Sequence, residues 1–198
     1  RDVLESLIRD EPKSAELKLR LGDLHHAFGQ WEAALAAWKG AFELEPFDRP
    51  ALDMVLAYLK VEELAAAARA TLETALAAAQ KRVSGNDPRP AYALCCVGQA
   101  KLFERKLDEA ATLFRKARAL DDGLEMQCSL GLAEVAFKTR SYEVAAVEWR
   151  RAFAADQAGA RALLLHLGSA ATVSGGLQYL ADEALKKPHT RPMDFTGR

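Results

Sequence analysis

The sequence predicts an all-α fold assembled from helix pairs stacked one on the next. Three observations carry that expectation. Small and aromatic residues recur in phase: Gly22, Ala34, Trp38 and Ala41 are followed 76 residues later by Gly98, Ala110, Phe114 and Ala117. The last three return after a further 35 residues as Ala145, Trp149 and Ala152, and Glu11-Pro12 precedes Glu45-Pro46 by 34. Alanine, the best helix former, is used heavily, and few stretches alternate Val, Ile or Thr with polar residues as a half-buried strand would.

Each copy can be followed along the chain. The first full one reads Lys18, Leu21-Gly22, His25, Ala34, Trp38, Pro46, and the third reads Leu94, Val97-Gly98, Lys101, Ala110, Phe114. The fourth reads Ser129, Leu132-Ala133, Ala136, Ala145, Trp149. The second is irregular (Leu52, Val55-Leu56, Leu59, Ala68, Leu72, Ala75), with Leu56 where the others have Gly or Ala, which predicts a splayed pair with an overlong second helix. Leu164, Leu167-Gly168 and Ala171, then Gly175-Gly176, mark a fifth, and Val3, Leu4, Leu7 and Ile8 fit the second helix of a leading one.

A period near 34 residues with these anchors resembles the tetratricopeptide repeat (TPR), W-x2-L-G-x2-Y, then A-x3-F, then P. The likeness runs from Arg1 to about Lys187, with His25, Lys101 and Ala136 departing from it where an aromatic is usual. It implies a right-handed superhelical α-solenoid of antiparallel helix pairs. The expected organisation is a TPR-like array over 1–187, beginning with a lone second helix at 1–12. Repeats follow at about 15–48, 49–87, 91–122, 126–157 and 161–187, with a flexible tail at 188–198.

Physical reasons stand behind the anchors. Gly22, Gly98, Ala34, Ala110 and Ala145 are placed where two helices cross, and a larger side chain would hold them apart. Trp31, Trp38, Phe114, Tyr142 and Trp149 are expected to fill the volume between pairs, and truncating such a buried aromatic costs about 3–5 kcal/mol. Pro12 and Pro46 stop helices. Alanines and long polar residues extend a helix to Lys81, after which Val83 to Pro90 reads as a loop, either the one internal flexible joint or a rigid turn.

Composition excludes several classes. The chain has 198 residues and formal net charge -1, without the clustered Lys/Arg excess of a nucleic-acid surface. No apolar run reaches spanning length, so direct membrane insertion is not expected. Three cysteines, Cys95, Cys96 and Cys128, make no disulfide framework. His25-His26 diverge by about 100° on a helix and cannot share a metal, and no metal-ligand spacing, nucleophile elbow or phosphate loop occurs. No catalytic residue, metal site or cofactor is therefore expected. Arg115, Lys116 and Arg118 read as a solvated outer face. The cytoplasm is the default compartment.

The resemblance further implies that first helices line a concave groove that receives a peptide or an amphipathic helix of another protein. On that geometry the partner-binding residues are Asp23 and His26, then Tyr92, Cys95, Gln99, Leu102 and Phe103, then Gln127, Leu130, Glu134, Phe137 and Lys138. Glu16, Leu19, Asp53, Ala57, Lys60, Leu165, Ser169 and Thr172 share the inner face. One subset of the family clamps a C-terminal carboxylate with Lys and Asn; Leu19 and Asp23 stand at those places, so no such clamp is expected. The expected function is a non-catalytic protein-interaction scaffold. The alternatives are a self-assembling module stacking through its open ends as a homo-oligomer, and a regulatory arm of a larger enzyme or signalling protein. Met193 and Phe195 of the tail offer a further occupant for the groove.

Overall fold

A computed structural model describes residues 2–83 and 87–167. The fifth-copy anchors from Gly168 onward, the groove positions Ser169 and Thr172, the side chains of Leu164 and Leu165, and the tail lie outside the described residues. Among the described residues all regular structure is helical: α1 (Asp2–Asp10), α2 (Ala15–Ala27), α3 (Trp31–Phe42), α4 (Arg49–Tyr58), α5 (Ala65–Arg82), α6 (Ala91–Phe103), α7 (Leu107–Leu120), α8 (Glu125–Lys138), α9 (Tyr142–Ala155) and α10 (Gln157–Leu167). The architecture is an all-α, TPR-like α-solenoid.

The pairs α2/α3, α6/α7 and α8/α9 pack along their lengths as helical hairpins. One turn geometry closes all three. The amide N–H of Gln30 donates to the His25 carbonyl, Lys106 to Lys101, and Ser141 to Ala136, at 2.9, 2.9 and 2.8 Å. This six-residue closure satisfies carbonyls at the helix end and needs a left-handed residue inside it. Gly29 supplies that at φ 70°, whereas Arg105 and Arg140 are held at φ 60°. Helix starts are fixed differently: Ser14 Oγ accepts from the Leu17 amide at 3.3 Å and Asp48 Oδ1 from the Ala51 amide at 2.8 Å.

The second pair is built otherwise. α4 has 10 residues and α5 has 18, the alanine-rich stretch carrying α5 through Arg82. α5 packs on α3 before it and on α6 after it, and so joins the first pair to the third. The helices α4, α6, α8 and α10 touch one another in succession.

Close approach of helices rests on aromatic rings laid against glycine. A Cβ on Gly98 would lie 3.0 Å from Phe114 Cε1, and one on Gly131 would overlap Phe114 Cζ outright. One ring of α7 is thus seated on the backbones of α6 and α8 together. Trp38 covers Gly22 in the same manner. Trp38, Phe114 and Trp149 are fully buried, but Trp31 and Tyr142 are 40% and 36% exposed. Those two correct the expectation that all five aromatics fill inter-pair volume. Each opens its helix beside the turn, where Trp31 meets His26 and Tyr58, and Tyr142 meets Phe137.

Buried charges form a second kind of joint. Lys101, 8% exposed, has Glu73 of α5, Glu104 and Glu109 of α7 within 3.6, 3.8 and 3.7 Å. Arg69 and Lys106 also reach Glu104, at 2.5 and 2.9 Å. Arg118 donates to the buried Glu148 of α9 at 2.7 Å and to Ser129 of α8 at 3.2 Å, so it ties three helices instead of lying on a solvated face. Arg115 and Lys116 are exposed. Partial burial alone would raise the Glu104 carboxyl, but hydrogen bonds from Lys106 and Arg69 and the field of Lys101 outweigh it and hold Glu104 below the usual glutamate range.

A carboxyl depressed by folding contributes stability above its unfolded value, near 4.3, and that contribution is lost as pH falls through the folded value. Denaturant titrations of wild type and Glu104→Gln from about pH 7 downward are expected to differ at neutral pH, the variant being weaker, and to draw together as pH falls below the unfolded glutamate value toward the lower folded one.

Candidate partner-binding groove

The succession of α4, α6, α8 and α10 leaves a groove of about 480 Å³ on one side of the array. From α4 and the turn after it come Asp53, Leu56, Ala57 and Lys60. From α6 come Tyr92, Gln99 and Phe103, from α8 Met126 and Gln127, and from α10 Gly159 and Ala162. Tyr92, Gln127 and Ala162 are successive steps of 35 along the chain, so the same register that stacks the helices lines the groove.

Contacts inside the groove fix its two ends. The Tyr92 hydroxyl donates to Asp53 Oδ1 at 2.6 Å, and the Arg49 guanidinium lies 4.8 Å above the Tyr92 ring. Burial first, then the neighbouring Cys96 and the bond to Asp53, raise the Tyr92 hydroxyl so far that it remains a donor at any ordinary pH. At the other end Lys60 Nζ sits 5.8 Å over the Phe103 ring, which is 47% exposed. Gln127 Oε1 is shut off from solvent without a hydrogen-bond partner among the described residues.

Of the residues expected from the sequence to meet a partner, Tyr92, Gln99, Phe103 and Gln127 line this groove. The others lie elsewhere. Asp23 accepts a hydrogen bond from Trp38 Nε1 at 3.1 Å, and His26 is bonded to the Tyr58 hydroxyl among the rings of Trp31 and Trp38. Asp23 thus ties the two helices of the first pair, and His26 belongs to the joint between the first two pairs. His25, at a place where the repeat usually has an aromatic, is hydrogen-bonded to Gln30 Oε1 at 2.6 Å.

Cys95 is buried against Cys128, and Leu102 is half-buried against the core. Leu130 is buried in the cluster of Trp149 and Ala160, because α10 packs over this part of α8. Glu134 is 6% exposed and pairs with Lys138 at 2.9 Å, while Phe137 packs 6.2 Å from Trp149. Cys95, Leu130 and Glu134 therefore present almost no surface, which corrects the reading of them as groove residues. Leu56, Met126, Gly159 and Ala162 were not singled out from the sequence. Applying the 35-residue step to Tyr92 finds Gln127 and Ala162; nothing in the pattern marks Met126 or Gly159.

No group of His, Cys, Asp and Glu among the described residues is arranged to hold a metal ion, and no described helix is long and apolar enough to cross a membrane.

No protein-family model matches the chain, and no curated protein matches it by sequence. Solved structures do resemble it. One, from a functional characterisation of Pseudomonas aeruginosa PilF, superposes with TM-score 0.57 at 18% identity, over 92% of this chain and 79% of that one. Another, PilW, described as a widely conserved type IV pilus biogenesis factor, gives TM-score 0.53 at 14% identity, over 93% of this chain and 84% of that one. At such identity the likeness is one of fold.

Cys95 and Cys96 are buried, and their thiols are pushed well up, Cys95 by its bond to Cys128 and by burial, Cys96 by burial foremost. A maleimide at pH 7 is expected to label the folded chain more than about tenfold more slowly than the urea-unfolded chain at either cysteine. Fast labelling of native Cys95 would put its side chain on the surface.

Proposed function

We propose that the chain is a non-catalytic protein-interaction scaffold that holds a peptide or helix of another protein between α4, α6, α8 and α10. The observation that carries this reading is the groove itself, whose walls come from four different helices and combine apolar surface at Leu56, Phe103 and Met126 with polar groups at Gln99 and at the bonded pair Asp53 and Tyr92. Concave apolar surface with a few placed polar groups is what peptide and helix recognition uses. The nearly half-exposed Phe103 is the natural anchor, since binding energy concentrates in aromatic side chains that lose their water on contact. The shared fold of PilW, a pilus biogenesis factor by its description, is in keeping with a role in assembly; the groove is what argues for holding.

A second reading, self-association, is favoured by one feature. Phe28 is 71% and Trp31 40% exposed at the turn edge of the first pair, an apolar spot that a second copy would cover.

Affinity capture followed by mass spectrometry tests the first reading. Proteins retained by wild type are expected to bind Phe103→Glu at least about thirtyfold more weakly, the effect of losing a hot-spot aromatic, with the circular dichroism spectrum unchanged. Equal retention by the variant rules out the groove as the holding surface.

A further inference from the structure

The two ends of the groove carry opposite charges, and neither is neutralised from within the described residues. Asp53 stands in the second turn of α4 and Lys60 just past its end, seven positions on and so about 10 Å farther along the axis. The Asp53 carboxylate is bonded to a neutral hydroxyl, that of Tyr92, and Lys60 lies over the neutral face of Phe103. Surrounding charges are treated differently. Arg49 pairs with Asp121 at 3.4 Å, Lys138 with Glu134, and Lys101 with three carboxylates. Asp53 and Lys60 line the groove and enter no ion pair among the described residues.

The backbone of the occupant follows from what the groove lacks. An extended peptide would bring unpaired N–H and C=O groups, and of the neutral polar side chains there the Tyr92 hydroxyl is committed to Asp53 and Gln127 Oε1 is closed off, which leaves chiefly Gln99. A helix satisfies its own backbone, and Ala57, Gly159 and Ala162 keep the walls low enough for its side chains.

We propose that the occupant is an amphipathic helix of a partner protein with a basic side chain set against Asp53 and an acidic one set against Lys60, two turns apart. Apolar residues between them meet Leu56, Phe103 and Met126. This rests on the groove reading above and adds its charge code. A helix carrying two acids or two bases meets a like charge at one end, so the pair selects partly by repulsion.

The test is selection from a displayed library of amphipathic helices of about five turns, with positions i and i+7 at the edge of the apolar face randomised. The targets are the full chain, Ala57→Trp, which fills the groove between the two charges, and Asp53→Lys. Each is checked for unchanged helix content. Wild type is expected to enrich one basic and one acidic residue at the two positions, in either order because a helix can enter in either direction. Each charge match is worth roughly fivefold, the upper range for an exposed ion pair. Asp53→Lys is expected to enrich two acidic residues. Enrichment that Ala57→Trp suppresses, but without charge preference or with the same preference in Asp53→Lys, overturns the charge code and leaves the groove standing. No enrichment over Ala57→Trp overturns both.

Discussion

The fold turns on a single ring seated on two glycines. Phe114 of α7 lies against Gly98 of α6 and Gly131 of α8, so close that a methyl group at Gly131 has no room. Its own hairpin partner and the first helix of the next hairpin are thereby held at one spacing. An alanine at Gly131 would have to push the ring or the helices apart, the kind of overpacking that costs about 1–3 kcal/mol. Since α6 and α8 are also two walls of the groove, a residue that touches no partner sets the width of the surface a partner would meet.

Apolar wedges fix how near the helices come, and buried ions fix how they are aligned. Lys101 occupies a place where the repeat pattern has an aromatic, and its three carboxylates come from α5, from the turn and from α7. Arg118 joins α7, α8 and α9 through Ser129 and Glu148. Removing the carboxylate partner of a largely buried ion such as Lys101 leaves that charge unmatched, which costs more than the pair contributes when intact. Asp53 and Lys60 differ in facing the groove and entering no ion pair among the described residues, which is why charge there reads as recognition and charge at Lys101 as architecture.

The helical array was legible in the sequence because its anchors are periodic: Gly22/Gly98 and Trp38/Phe114/Trp149 keep step over the chain. The groove was legible in part. Tyr92, Gln99, Phe103 and Gln127 follow from assigning first helices to the inner face, but Leu130 lies under α10 and Glu134 is closed off beside Lys138. Periodicity says which way a side chain points along its own helix; whether a neighbouring helix then covers it depends on crossing geometry that no single repeat encodes. His26 fails for a related reason. It points inward as expected, yet Tyr58 of the next pair is there to share a hydrogen bond with it.

Native-state hydrogen exchange on Phe114→Leu tests the central claim most directly. If one ring holds two hairpins together, protection falls in α6 and in α8 as well as in α7, while α2 and α3 keep theirs. Loss confined to α7, with α6 and α8 as protected as in wild type, would contradict the account.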